Sequence, residues 1–103
     1  MANFLLLYHG GAQANSNEEA QAMMAAWGTW MEQVGENMVD MGNPTSSVKS
    51  VDSDGPSEFS GNNVSGYSIV RCESMDDALH CAQMTPIVSD GGSVDVYEIH
   101  PAM

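Results

Sequence analysis

The feature that most narrows the fold is an apolar stripe in the first third of the chain. Ala20, Met23, Met24, Trp27, Trp30, Met31 and Val34 recur with the 3.6-residue period of a helix. Ser16, followed three residues later by Glu19, has the form of a capping box. Glu18 and Glu19 also stand where the positive end of a helix favours negative charge. Gly35 then ends the run, so the spacing predicts a helix between Ser16 and Gly35.

The segments around this helix alternate between strand and turn signals. NFLLLYH is short, apolar and stopped by Gly10-Gly11, which predicts a buried first strand. After Gly35, NMVDM, GNP and SSVKSV predict an edge strand interrupted or bent at Gly42-Asn43-Pro44, because proline cannot donate to a ladder. DSDGPSEFSGNNVSG carries the turn pairs Asp54-Gly55 and Gly61-Asn62 and predicts a long, polar, mobile hairpin loop. YSIVRC alternates, with Tyr67, Ile69 and Arg71 on one face and Ser68, Val70 and Cys72 on the other. Ser74 with Asp77 opens a second, shorter helix whose inner side holds Ala78, Leu79 and Ala82, closed before Pro86. SDGGS turns the chain into a last strand, VDVYEI.

That order predicts a single α+β domain over residues 1–103. Its expected fold is ferredoxin-like, βαββαβ, with four antiparallel strands and both helices on one face. The opposite face of such a sheet would leave apolar residues in water. The expectation is therefore an obligate homodimer in which two chains pack sheet against sheet or close a barrel across a two-fold axis.

Charge excludes several partners. Fourteen acids face only Lys49 and Arg71, a formal net charge of −12. Nucleic acid and anionic membranes both need clustered bases, so neither is expected as a partner. The opening MANFLLLYHGG has no basic segment and only a short apolar core, and reads as neither a signal peptide nor a spanning helix. A cytoplasmic location is expected, with Cys72 and Cys81 reduced and filling space as small hydrophobes. No Cys-x-x-Cys or His-x-x-x-His occurs, and Gly10-Gly11 lacks the lysine and third glycine of phosphate-binding loops. Neither a metal nor another cofactor is expected.

Four short stretches carry a family resemblance. DGPSE, GYSIV, ESMDDAL and DGGSVDVYEIHP, in this order and spacing, resemble the YCII-related group, also called DGPF-domain proteins, of the dimeric α/β-barrel superfamily. The resemblance covers most of the chain from Trp27 onward. It implies a dimer with a cleft between sheet and helices, and relatives that decarboxylate, isomerise or dehalogenate products of aromatic breakdown. Ser57 stands where the signature has phenylalanine. Some members carry a catalytic histidine in the first helix, but AMMAAWGTW has none, so that chemistry is not carried over.

The candidate site follows from residue type and place. Trp27 and Trp30 lie about 60° apart on a helical wheel, so both can face the sheet, either as core or as walls of a site. With Met31 and Tyr67 they are the candidate ligand-binding residues. His9 at the end of the first strand and Asp40 in the short second strand are the candidate proton-transfer groups. Three functions stay open: a homodimer binding a small apolar or aromatic molecule between first helix and sheet; a cofactor-free isomerase, lyase or oxygenase of aromatic-compound metabolism using His9 or Asp40; and an accessory interaction module without a pocket.

Overall fold

In the computed structural model, which describes residues 1–11 and 14–101, strand β1 (Ala2–His9) runs through the middle of the main sheet. Its alternation buries Phe4, Leu6 and Tyr8 on one face. Helix α1 (Asn17–Val34) follows, and its ends match the sequence signals. Ser16 Oγ accepts from Glu19 N at 3.1 Å, and Glu19 Oε2 accepts in return from Asn15 N at 2.8 Å, one residue earlier than an ideal box. Gly35, at φ 58°, ends the helix by donating its N–H to Met31 O.

β2 (Met38–Asp40), β5 (Gly66–Cys72) and β6 (Ser93–Glu98) complete the sheet, all antiparallel in the order β2-β5-β1-β6. This is the ferredoxin-like order. Leu6 is the centre of the register, opposite Ser68 on β5 and Val96 on β6. Helix α2 (Met75–Gln83), capped by Ser74 Oγ accepting from Asp77 N, packs directly on β5, β6 and β1 through the small residues Ala78 and Ala82. Helix α1, with its bulky tryptophans and methionines, makes its closest backbone approaches to α3 (Pro86–Ser89) and to the turn at Gly35–Asn37 instead. It stands off the sheet, and that spacing makes room for a cleft.

Several expectations are corrected. The edge strand is interrupted rather than bent: β2 stops at Asp40, Pro44 makes only an isolated bridge to Gly66, and Lys49–Asp52 leave the main sheet as β3 of a separate two-stranded hairpin with β4 (Gly55–Glu58). Part of the supposed polar loop is therefore strand. The Asp54-Gly55 turn is the reason, because Asp52 Oδ1 accepts from Asp54 N and Gly55 adopts φ 112°, which folds Lys49 back onto Glu58. α3 was not expected either. Pro86 supplies its first helical position, where the missing N–H has no intrahelical partner to lose. Met24 and Leu79, read as inward, are 74% and 48% exposed. Met24 lies about 120° round the helix from Trp30, at the margin of the stripe.

The hairpin packs chiefly within itself, and it lengthens the molecule. The radius of gyration is 15.1 Å, where a compact chain of this size has about 13 Å. The two faces of the sheet also differ. One is covered by α1 and α2; the other carries Leu5, Leu7, Tyr67 and Ile69, half-buried, with Tyr97 and Val39 exposed beside them. Among the described residues no helix is long and apolar enough to cross a membrane.

Candidate functional site

The space between α1 and the sheet is a cleft of about 720 Å³. That volume lies within the range of sites for small molecules. From α1 it receives Met23, Trp27 and Met31; from β1, Tyr8; from α3, Ile87. The rest of its lining is Gly10 and Gly11, Asn63, Ser65 to Ser68, and the chain from Met41 to Thr45, which crosses the edge of β5 between Gly66 and Ser68.

That crossing depends on Gly42. A Cβ there would fall 1.6 Å from Tyr67 O, and the residue sits at φ 80°, so only glycine lets the two backbones pass. Asp40 Oδ1 accepts from Gly42 N at 2.9 Å and starts the bend. Pro44 then bridges to Gly66, while Thr45 N donates to Ser65 O at 3.0 Å and its hydroxyl donates to Val64 O. Ser65 N donates in turn to Tyr8 O at 2.6 Å. The cleft mouth is thus sewn to the end of β1.

The two tryptophans part company here. Trp27 is half-buried in the wall, its ring 5.2 Å from that of Tyr8 and 5.7 Å from that of Trp30, edge-on to the latter. Trp30 is 2% exposed, outside the cleft lining, and donates Nε1–H to Cys81 O at 3.0 Å. One ring walls the site and the other is core. Met31 lines the cleft as expected from its place on the stripe. Tyr67 belongs to the lining where the chain at Gly42 passes it, although strand alternation puts its ring on the outer face; its hydroxyl lies 3.5 Å from Asn43 Nδ2.

Neither His9 nor Asp40 is among the cleft residues. Asp40 is exposed and shapes the turn at Gly42. His9 is buried at the rim of the outer face, with Nε2 2.8 Å from Asp95 Oδ2 and Nδ1 3.0 Å from Asn63 O. Both ring nitrogens are engaged, which leaves none for a substrate. The partner carboxylate of His9 was invisible in the sequence because it is created by the β1–β6 register, in which His9 faces Ser93 and Leu7 faces Asp95.

Burial perturbs three titratable groups, one in the cleft wall and two outside it. Burial pushes the Tyr8 phenol up to about 12, against a smaller opposing effect of the Ser68 hydroxyl. Ser68 directs its own hydrogen to Met41 O at 2.7 Å, and Tyr8 Oη, buried, has no partner among the described residues. Burial likewise raises Cys81 to about 11 and Cys72 above its ordinary value, which makes both thiols poor nucleophiles. These thiols line a second cavity of about 210 Å³ beside Trp30, too small for a typical ligand. Among the described residues no cluster of three or more His, Cys, Asp or Glu side chains is placed to hold a metal ion.

No protein-family model matches the chain, and no curated protein matches it in sequence. A solved structure does match in three dimensions: 5-chloro-2-hydroxyhydroquinone dehydrochlorinase (TftG) from Burkholderia phenoliruptrix AC1100, in complex with 2,5-dihydroxybenzoquinone. The TM-score is 0.59 at 17% identity, over 97% of this chain and 95% of that one. What is shared is the fold. At this identity the α+β architecture is established along nearly the whole chain, while the YCII-related resemblance of the four motifs has no family-model match beside it.

Proposed function

We propose that the chain is a homodimer that binds a small, mainly apolar or aromatic molecule in the cleft between α1 and the sheet. The observation that carries this reading is the cleft itself, about 720 Å³ with Trp27, Met23, Met31, Tyr8 and Ile87 around it. Such a space could have been closed by moving α1 a few ångströms inward, with a gain in burial. The structural neighbour, a dehydrochlorinase solved with a six-membered ring compound, supports the same class of ligand.

The dimer is supported by the bare outer face, where Leu5, Leu7, Ile69 and Tyr97 form an apolar strip in a chain otherwise crowded with acids. Two unbridged cysteines suit a reducing compartment, which supports a cytoplasmic location. The enzymatic reading draws support from the dehydrochlorinase likeness alone, since His9 and Asp40 are absent from the cleft wall.

Titration with a panel of small ring compounds, followed by tryptophan fluorescence, tests the ligand site. Saturable quenching that disappears in Trp27→Phe, with Trp30 kept as the remaining fluorophore, is expected. A panel that leaves the emission unchanged would count against the cleft as a site.

A further inference from the structure

The chain holds fourteen acids, two bases and three histidines, yet none of these lines the cleft among the described residues. This bears on what the cleft can hold. A bound carboxylate or phenolate would surrender its hydration with no cation to replace it, inside a protein of net charge −12. An ammonium group would gain from the overall field but would find no carboxylate within the walls. The Tyr8 phenol in the wall is neutral and can both donate and accept a hydrogen bond.

The polar side chains that remain are those of Asn43, Thr45, Asn63, Ser65, Tyr67 and Ser68. Thr45 donates to Val64 O and Ser68 donates to Met41 O. Ser65 Oγ, like Tyr8 Oη, is buried at the wall and has no hydrogen-bond partner among the described residues. The Ser65 backbone is held on both sides, N–H to Tyr8 O and carbonyl accepting from Thr45 N, which leaves the hydroxyl available to donate or accept. An acceptor oxygen on a ligand would complete it.

We infer that the cleft selects uncharged ring compounds bearing a carbonyl-type oxygen acceptor, and discriminates against their anionic and cationic counterparts. The inference rests on the proposed reading of the cleft as a ligand site and specifies its chemistry. Trp27, Met23 and Met31 supply the apolar faces, and Ser65 reads the oxygen.

Four probes of nearly one shape test it on the whole protein by calorimetry at neutral pH: acetophenone, benzoate, benzylammonium, and α-methylstyrene, in which a methylene replaces the carbonyl oxygen. Acetophenone is expected to bind at least about ten-fold more tightly than either ion, a difference of about 1.4 kcal/mol. Ser65→Ala is expected to weaken acetophenone roughly three- to ten-fold and to leave α-methylstyrene unchanged. If benzoate or benzylammonium binds as well as acetophenone, the charge selectivity is refuted while the cleft stands as a site. If Ser65→Ala weakens ketone and hydrocarbon equally, the role given to Ser65 is wrong. If none of the four binds, the ligand-site reading falls and this inference with it.

Discussion

His9 and Asp95 meet across the β1–β6 pair, Nε2 to Oδ2 at 2.8 Å, while the other ring nitrogen of His9 lies 3.0 Å from Asn63 O. The two contacts bridge β6 and the segment at Asn63 through one imidazole ring. The ring clasps the segment Asn63–Ser65, whose residues Asn63 and Ser65 border the cleft, to the end of the sheet. His9 is thereby a positioning residue for the cleft mouth.

Removing that clasp should loosen the mouth more than the fold. The Asp95 side chain is 60% exposed, so solvent screens the pair and His9→Ala is expected to cost only about 1–2 kcal/mol. Amide exchange should accelerate at Asn63, Val64 and Ser65 while β1 and β5 stay protected. Exchange unchanged in the variant would contradict the clasp.

Alkaline pH should destabilise the protein. Burial holds Cys81 at about 11 against 9.0 for a free thiol, and Tyr8 at about 12 against 10.0 for a free phenol. As pH rises above 9 the unfolded chain loses these protons first and binds fewer than the folded one, so the equilibrium shifts toward unfolding. The stability lost to Cys81 should accrue between about pH 9 and 11 and that lost to Tyr8 between about pH 10 and 12. Denaturation midpoints measured across this range should fall, and Cys81→Ala should flatten the first part of the decline. A flat profile in the parent protein would contradict the burial of both groups.

Two glycines should respond in opposite directions. A Cβ at Gly28 meets nothing within 4 Å, and the residue lies in mid-helix, so close approach to the sheet does not explain it. Gly28→Ala is expected to stabilise by about 1 kcal/mol, raising Tm by about 4–8 °C. Gly42→Ala, whose Cβ would overlap Tyr67 O, should displace the crossing segment and lower Tm. Thermal unfolding of both variants checks the pair.

How far the sequence reached can be judged residue by residue. Ser16 with Glu19 and Ser74 with Asp77 announced both main helices because capping is a local contact between neighbours in the chain. The alternation of Phe4, Leu6 and Tyr8 marked the buried strand for the same reason. The short β2 and the separate hairpin were not legible, because whether SSVKSV continues one strand or begins another depends on where Gly42 crosses β5. Nor were the different fates of Trp27 and Trp30: about 60° on a helix separates wall from core, and only the partner Cys81 O decides which ring is which. Tyr8, Ile87 and Ser65 were missed as cleft residues since nothing local marks a side chain that becomes a wall through tertiary packing.

Light scattering should give a mass near twice the 11.0 kDa of one chain. Leu7→Asp and Ile69→Asp each place a charge in the outer strip of half-buried apolar residues. Each should shift the protein toward monomer, and loss of the dimer should expose apolar surface to a dye such as ANS. A parent protein that runs as a monomer at all concentrations would remove the basis for the sheet-to-sheet dimer.

The claim on which the rest depends is that the cleft under α1 holds the ligand. Intermolecular NOEs between bound acetophenone and ¹³C-methyl methionines test it most directly. NOEs are expected to Met23 and Met31 and to the Trp27 indole, with none to Met24, which faces solvent on the same helix. Contacts confined to Met24, or to Leu5 and Leu7 on the outer face of the sheet, would contradict it.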